Sequence, residues 1–356
     1  MSTSRLENSG ATVFPSIAHP EILLQLLKFF VDHAQRFFQV EFYIAILGLI
    51  VTVFHLMVLT RKNIMVSSVI SVMIGIAICD WVSMAVVVGV QHIVMNVFFN
   101  ECSPPSSYLT LCVFYILLSV RDAFIRCSTW LSVLMALIRL FSLKFKSDFL
   151  FKNVSFGFYS FGISFFISSV LSTFKHLRTK IVEIGVWVPA MGCEIQVTGT
   201  ETWVVYELQT SVFFNSFWLK TFNFVNGFSS RILPCALLPT LSILLVMEIR
   251  NARKKAGTTS FIVRKRTERT TTLVILMAVT FFIANLPSGV FTFFQVLYTD
   301  IGFLKLSVFV DRFCNAILTV NATIHCVICF MMSSDYRKVV KKMLRVQTKK
   351  QVSFVM

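Results

Sequence analysis

The sequence predicts an all-α membrane protein: a seven-transmembrane helix bundle followed by a short amphipathic helix. Three observations carry that prediction. The 356 residues are 56% hydrophobic and only 14% charged, whereas soluble domains run near about 25% charged, so an ordinary wet surface cannot be covered. Seven runs of about 20 apolar residues recur along the chain, each long enough to cross a hydrocarbon core. Between them sit short basic clusters, which give 33 Lys and Arg against 17 Asp and Glu and mark membrane topology rather than nucleic-acid binding.

The predicted spans lie at about 42–60, 67–90, 108–142, 154–172, 218–247, 272–297 and 304–332. The second (ISVMIGIAICDWVSMAVVVGV) and the sixth (TLVILMAVTFFIANLPSGVFTFF) are uniformly apolar, and the fourth (NVSFGFYSFGISFFISSVLST) is rich in serine. The third is long and carries Arg121, Asp122 and Arg126; it must tilt or turn those charges toward a polar interior. Residues 1–41 are expected to be an extracellular segment, 42–332 the seven-span domain, and 333–356 a cytoplasmic tail. The start, MSTSRLENSG, lacks a basic region followed by an apolar one, so the first span is expected to be its own insertion signal.

Orientation follows from the loops. Twenty-one Lys and Arg fall on the side of the 61–62, 139–152, 250–269 and 337–350 clusters, against nine on the other. The positive-inside rule then places the N-terminus outside and the C-terminus in the cytoplasm, with the plasma membrane as the expected location. After Met332 the chain reads SSDYRKVVKKML. Ser333 or Ser334 can cap a helix whose Tyr336, Val339, Val340, Met343 and Leu344 share one face, while Arg337, Lys338, Lys341, Lys342 and Arg345 lie mostly elsewhere. That pattern suits an amphipathic helix on an anionic leaflet.

Six of the nine cysteines fall inside spans, where they read as small buried residues; Cys102, Cys112 and Cys193 lie at or near the oxidising outer face. The sequons at Asn153 and Asn321 sit at a cytoplasmic span end and inside a span, so neither is expected to carry glycan. A secondary transporter would show internal repeats with paired broken helices, a retinal protein would need a lysine in the seventh span, and a membrane enzyme would need a metal cluster or a nucleophile with its base. None of these is visible, and the six histidines are scattered.

The stretches FHLMVLTRK (54–62), IGIAICD (74–80), CSTWLSVLMALIR (127–139), ILPCALLP (232–239), NLPSG (285–289) and NATIHCVICFMMSSDYR (321–337) occur in a telling order. With them the chain, over about residues 42–345, resembles a rhodopsin-like G-protein-coupled receptor. Within that class it is similar to the nematode serpentine class W chemoreceptors, which themselves resemble FMRFamide-type neuropeptide receptors. The resemblance implies a receptor without enzymatic activity of its own. Its expected partners are an extracellular peptide or small-molecule ligand, the lipid bilayer and a cytoplasmic heterotrimeric G protein, with no nucleic acid. The alternatives are a transporter-type multi-pass protein and a receptor that does not couple.

Residue by residue, the resemblance implies a polar pocket around Asp80, with Ser128 and Asn321 as neighbours. That pocket holds either an allosteric sodium ion or an Asp satisfied by protein hydrogen bonds. Arg139 matches the arginine that engages the G protein, but Ile138 replaces the usual acidic neighbour, which leaves Glu268 as a substitute partner. Pro234 and Pro287 match the prolines of the fifth and sixth spans, where a freed carbonyl makes a hinge or a fixed kink. Thr52, Ser242, Asn285 and the seventh-span Asn321-Ala-Thr-Ile-His325 depart from the family pattern, so His325 either replaces the missing tyrosine or is an interior histidine. The resemblance also implies a disulfide from Cys193, in a long loop (about 173–217) with Trp187, Pro189 and Trp203, to Cys102, with Cys112 as the alternative.

The ligand set is expected in the outer half of the bundle: Arg121, Asp122, Arg126, Arg231, Asn285 and Asp311. Asp122 and Arg126 are four apart and can pair; Asp311 can reach Arg121. Counting Arg312, cations exceed anions there by two. An uncompensated cation at that depth is costly, so either a ligand presents an acidic or carbonyl-rich group to Arg121 or Arg231, or the charges form interhelical pairs with no ligand role.

Overall fold

The computed structural model describes residues 13–17, 19–62, 68–99, 104–144, 153–177, 179–187, 203–210, 216–255, 279–294, 297–298, 300–332 and 336–343. The seven expected spans are all helices: α1 (Glu21–Leu59), α2 (Ser68–Phe99), α3 (Tyr108–Lys144), α4 (Val154–Leu177), α5 (Ser216–Gly227 and Leu233–Lys255, joined through a π-helical turn at Phe228–Ile232), α6 (Val279–Phe294) and α7 (Ile301–Met332). A short α8 follows at residues 336–343. The spans are helical because no water is present in hydrocarbon to satisfy backbone groups, which must then pair within one segment. Their apolar side chains point outward: Tyr43, Ile50, Ile163, Phe166 and Met331 are each more than 50% exposed, the inverse of a soluble core.

Helix α1 reaches back beyond the predicted span start at residue 42. It starts at Glu21 and runs for 39 residues, about 58 Å at 1.5 Å per residue against a hydrocarbon core of about 30 Å. Lys28, Asp32, His33 and Arg36 interrupt the apolar run, and hydropathy alone therefore stops at the membrane edge. Helices α3 and α4 begin at side-chain caps. The Ser107 hydroxyl accepts the N–H of Thr110 at 3.3 Å, and Asn153 Oδ1 accepts the N–H of Ser155 at 3.0 Å, each satisfying a donor left over in a first turn.

Helix α1 lies between α2 and α7, α2 also packs on α3 and α4, and α3 touches α4 and α5. Close approach is made by small residues. A Cβ at Gly157 of α4 would fall 2.8 Å from the Ser68 carbonyl oxygen of α2.

The fifth span contains an irregularity with a readable cause. Pro234 has no N–H to give and its ring would crowd the carbonyl four residues back. The preceding Leu233 N–H instead reaches Phe228 O, the wider bond of a π turn. That turn contains Arg231 and Ser230.

The long loop before α5 is not bare coil. Strands β1 (Thr179–Val186) and β2 (Val204–Thr210) form an antiparallel hairpin with a bulge between Glu183 and Gly185. Gly185 takes φ 152° there, a value that glycine tolerates best. The Tyr206 ring meets Tyr108 edge-on at 5.5 Å and seats the hairpin on the N-terminal end of α3. At the opposite end of the bundle, Tyr336 and Val340 of α8 are buried against Val58, Leu59, Met73, Ile74 and Cys329, while Lys338, Lys341 and Lys342 are exposed.

Candidate ligand and coupling sites

Among the described residues, three polar clusters line the bundle. The first joins α1 to α3. Glu41 and Arg121 form an ion pair at 2% and 3% exposure, and the Thr319 hydroxyl of α7 reaches the same carboxylate at 3.4 Å. Arg121 was expected to meet Asp311 or a ligand; it meets Glu41 because α1 extends past the predicted span start and carries Glu41 into the interior. A pattern in the sequence marks this face. Glu41, Ala45, Gly48, Thr52, His55 and Leu59 recur at intervals of four, three, four, three and four, and all are buried. Nearby, the guanidinium of Arg312 lies 5.9 Å over the Phe38 ring, a cation–π contact between α7 and α1.

The second cluster surrounds Arg126, 6% exposed. Its Nε donates to Ser230 Oγ at 2.7 Å, one terminal nitrogen to Ser168 O and Ser172 Oγ at 2.9 Å each, and the other to Asn226 Oδ1 at 3.0 Å. Four of its five N–H donors thus go to neutral oxygens of α4 and α5, and Asp122, one turn away, is close enough to act on it through its charge. The serine content of α4 has its explanation here: Ser168 and Ser172 share a face and solvate a buried cation.

The third cluster joins α5, α6 and α7. The π turn aims Arg231 at Asp311 (2.7 Å), Asn285 (3.1 Å) and Asn315 (3.4 Å). The Ser288 hydroxyl donates to Asp311 at 2.7 Å, and Asn315 donates to its other oxygen at 3.3 Å. The Asp311 side chain is 35% exposed and that of Arg231 14%, so this network, unlike the first two, is open. Of the residues expected to meet a ligand, Arg231, Asn285 and Asp311 come together, while Arg121 and Arg126 are held in separate interior clusters.

Below the third cluster lies a cavity of about 60 Å³ lined by Asp80, Ser83, Ser128, Ser132, Asn315, Asn321 and His325, among others. Ser128 donates to Asp80 at 2.8 Å, as the resemblance implied. Asn321 lines the same cavity, with its Oδ1 accepting from Thr280 of α6 at 2.9 Å. The volume is several times the 10–15 Å³ or so that one water needs. Its lining supplies carboxylate, hydroxyl and amide oxygens, the donors hard cations take.

Toward the C-terminal end of the bundle, His325 stacks edge-on to His55 at 5.7 Å, and His55 Nδ1 shares a hydrogen bond of 2.9 Å with the Tyr336 hydroxyl. Tyr336, in the first turn of α8, thus meets His55 beside a seventh span that has no tyrosine of its own. Arg139 is half-buried, close enough to His325 and Cys329 to act on both through its charge. Pro287 lies inside α6. Glu268, Cys102 and Cys193 fall outside the described residues, and Cys112 is a free, half-buried thiol.

Seven helices packed around buried charges, with an eighth seated at their end, are the architecture of a serpentine membrane bundle. The chain matches the family model of the serpentine type 7TM GPCR chemoreceptor Srw across residues 39–347. It therefore belongs to that family, a multi-pass membrane receptor of the G-protein-coupled class. Among curated proteins no match is found.

Proposed function

We propose that this receptor sits in the plasma membrane with its N-terminus outside, binds a peptide or small chemosensory ligand at the mouth nearest the N-terminus, and signals through a heterotrimeric G protein at the other end. The ligand engages the Arg231–Asp311 network. That network supports the reading because it is partly open, carries both charges, and spans the three helices whose relative movement would transmit binding. A ligand bearing an acidic or carbonyl group competes with Asp311 for Arg231 and loosens α5 from α7. The Asp80 cavity holds a sodium ion, coordinated by Asp80 and Ser128 with Asn321 nearby, and Arg139 meets the G protein. The greater basic charge of the loops on the C-terminal side supports the orientation.

The test is to express the receptor with a promiscuous G protein and to screen amidated peptides against small acidic volatiles. A response lost in Arg231→Ala, with surface expression intact, is the expected result. Silence toward every ligand at confirmed surface expression overturns coupling, and a response indifferent to Arg231→Ala overturns the site.

A further inference from the structure

We propose that the mouth of the bundle carries a peptide-recognition slot, filled here by the chain's own residues 13–17; the slot rests on the receptor reading above and adds a ligand class to it. Phe14 lies seven residues before α1 yet is 0% exposed. Its ring meets Phe303 edge-on at 5.4 Å and packs with Leu27 and Phe30 of α1 and Leu306 of α7. The floor is Gly302, where a Cβ would come within 2.5 Å of the ring; only glycine leaves room for the aromatic group.

A second set of contacts fixes the backbone. The Ser16 hydroxyl donates to Asp300 Oδ1 at 2.7 Å and its N–H to Oδ2 at 3.1 Å, so both carboxylate oxygens grip one residue. Between ring and grip, the Ile17 N–H returns to Phe14 O at 3.2 Å, closing a β-turn with Pro15 at the position that proline pre-forms. Pro15 and Ser16 are themselves exposed. The segment therefore lies across the mouth with one side chain inserted, a buried aromatic anchor of the kind that dominates peptide interfaces.

The slot reads an aromatic residue, a turn and a donor pair two residues later, features a free peptide can offer as well as the tethered segment. Asp300, the residue just before α7, and Asp311 are eleven residues apart, about 16 Å at the helical rise, a span that about five extended residues cover. A peptide seated by its aromatic residue can thus reach the Arg231–Asp311 network. The tether gives the native segment an effective concentration on the order of millimolar, which makes it a built-in competitor.

The probe is a fluorescent synthetic peptide, ATVFPSIAH (residues 11–19), titrated by polarisation against the full-length protein in lipid nanodiscs. Freeing the slot with Phe14→Ala and Ser16→Ala is expected to give saturable binding at least about ten-fold tighter than wild type. Gly302→Val added to that variant, or Phe→Ala in the peptide, is expected to abolish it. Ser16→Ala alone, at an exposed position that the fold does not need, is expected to shift binding the same way by less, and it carries the test should the double variant misfold. Equal affinity for wild type and Ser16→Ala, or no saturable binding to any form, overturns the proposal. The assay contains no G protein, so its failure is distinct from failure of coupling.

Discussion

Glu41 and Arg121, eighty positions apart, form a buried ion pair that locks α1 to α3. Two charges enclosed in a membrane protein are each expensive alone, and their value lies in being paired. Glu41→Gln leaves Arg121 buried and unpaired and is expected to cost about 3–5 kcal/mol. Glu41→Leu combined with Arg121→Met removes both charges and is expected to recover most of that loss. A thermal double-mutant cycle in nanodiscs measures the coupling, and additive losses would contradict it.

Packing between α2 and α4 makes a second prediction. A Cβ at Gly157 would fall 2.0 Å from Ser71 Oγ and 2.8 Å from Ser68 O, whereas Gly162 has nothing within 4 Å. Ser71 can rotate, but the Ser68 carbonyl cannot, so Gly157→Ala pushes the helices apart at a cost of about 1–3 kcal/mol. Gly162→Ala, on the same helix, is expected to be neutral or to stabilise by up to about 1 kcal/mol. Melting temperatures of the two variants decide the matter.

The dock of α8 should depend on pH. Burial first, and the contact with Cys326 second, push the Tyr336 hydroxyl above its ordinary value of 10.0. The undocked tyrosine therefore ionises before the docked one, and above about pH 10 the undocked state binds fewer protons. Docking is at full strength below that pH and weakens progressively above it, toward the raised value of the docked hydroxyl. Tyr336→Phe should weaken docking by about 1 kcal/mol and remove the alkaline dependence, as read by hydrogen exchange of residues 336–343.

Sodium is the fourth prediction. Replacing choline chloride with sodium chloride is expected to stabilise the wild type, by about 1.4 kcal/mol at a tenfold excess over the dissociation constant. Asp80→Asn should abolish the increment, and Ser128→Ala should reduce it. A sodium effect that survives Asp80→Asn would place the ion elsewhere.

The seven spans and α8 were legible because each is a predominantly apolar run of membrane length or a clean two-faced pattern, even where Arg121, Asp122 and Arg126 interrupt the third. Asp80 with Ser128 was legible through resemblance; Arg231, Asn285 and Asp311 were each marked as candidates in the outer half of the bundle, but Asp311 was expected at Arg121 and lies instead on Arg231. Glu41 was not, since hydropathy placed it outside, although the buried spacing from Glu41 to Leu59 was present to be read. The partners of Arg126 were hidden for another reason: hydroxyls and amides carry no charge signal, and only their i, i+4 repeats at 168/172 and 226/230 hint at a shared target. The β-hairpin went unseen because its strands carry no strong alternating pattern and their register is interrupted by a bulge between Glu183 and Gly185.

The wide turn at Phe228–Ile232 fits one more residue into the coil than an ordinary winding would. Deleting a single residue there would let the coil relax to ordinary winding and leave everything between Ser216 and Gly227 facing as it does now, whereas the same deletion in the regular helix that follows would swivel that segment by about 100° about the axis. Asn226 would keep its place against Arg126 in the first case and lose it in the second. In this receptor the wide turn is a point of slack, where the chain can shorten by one residue without redirecting the half-helix beyond it.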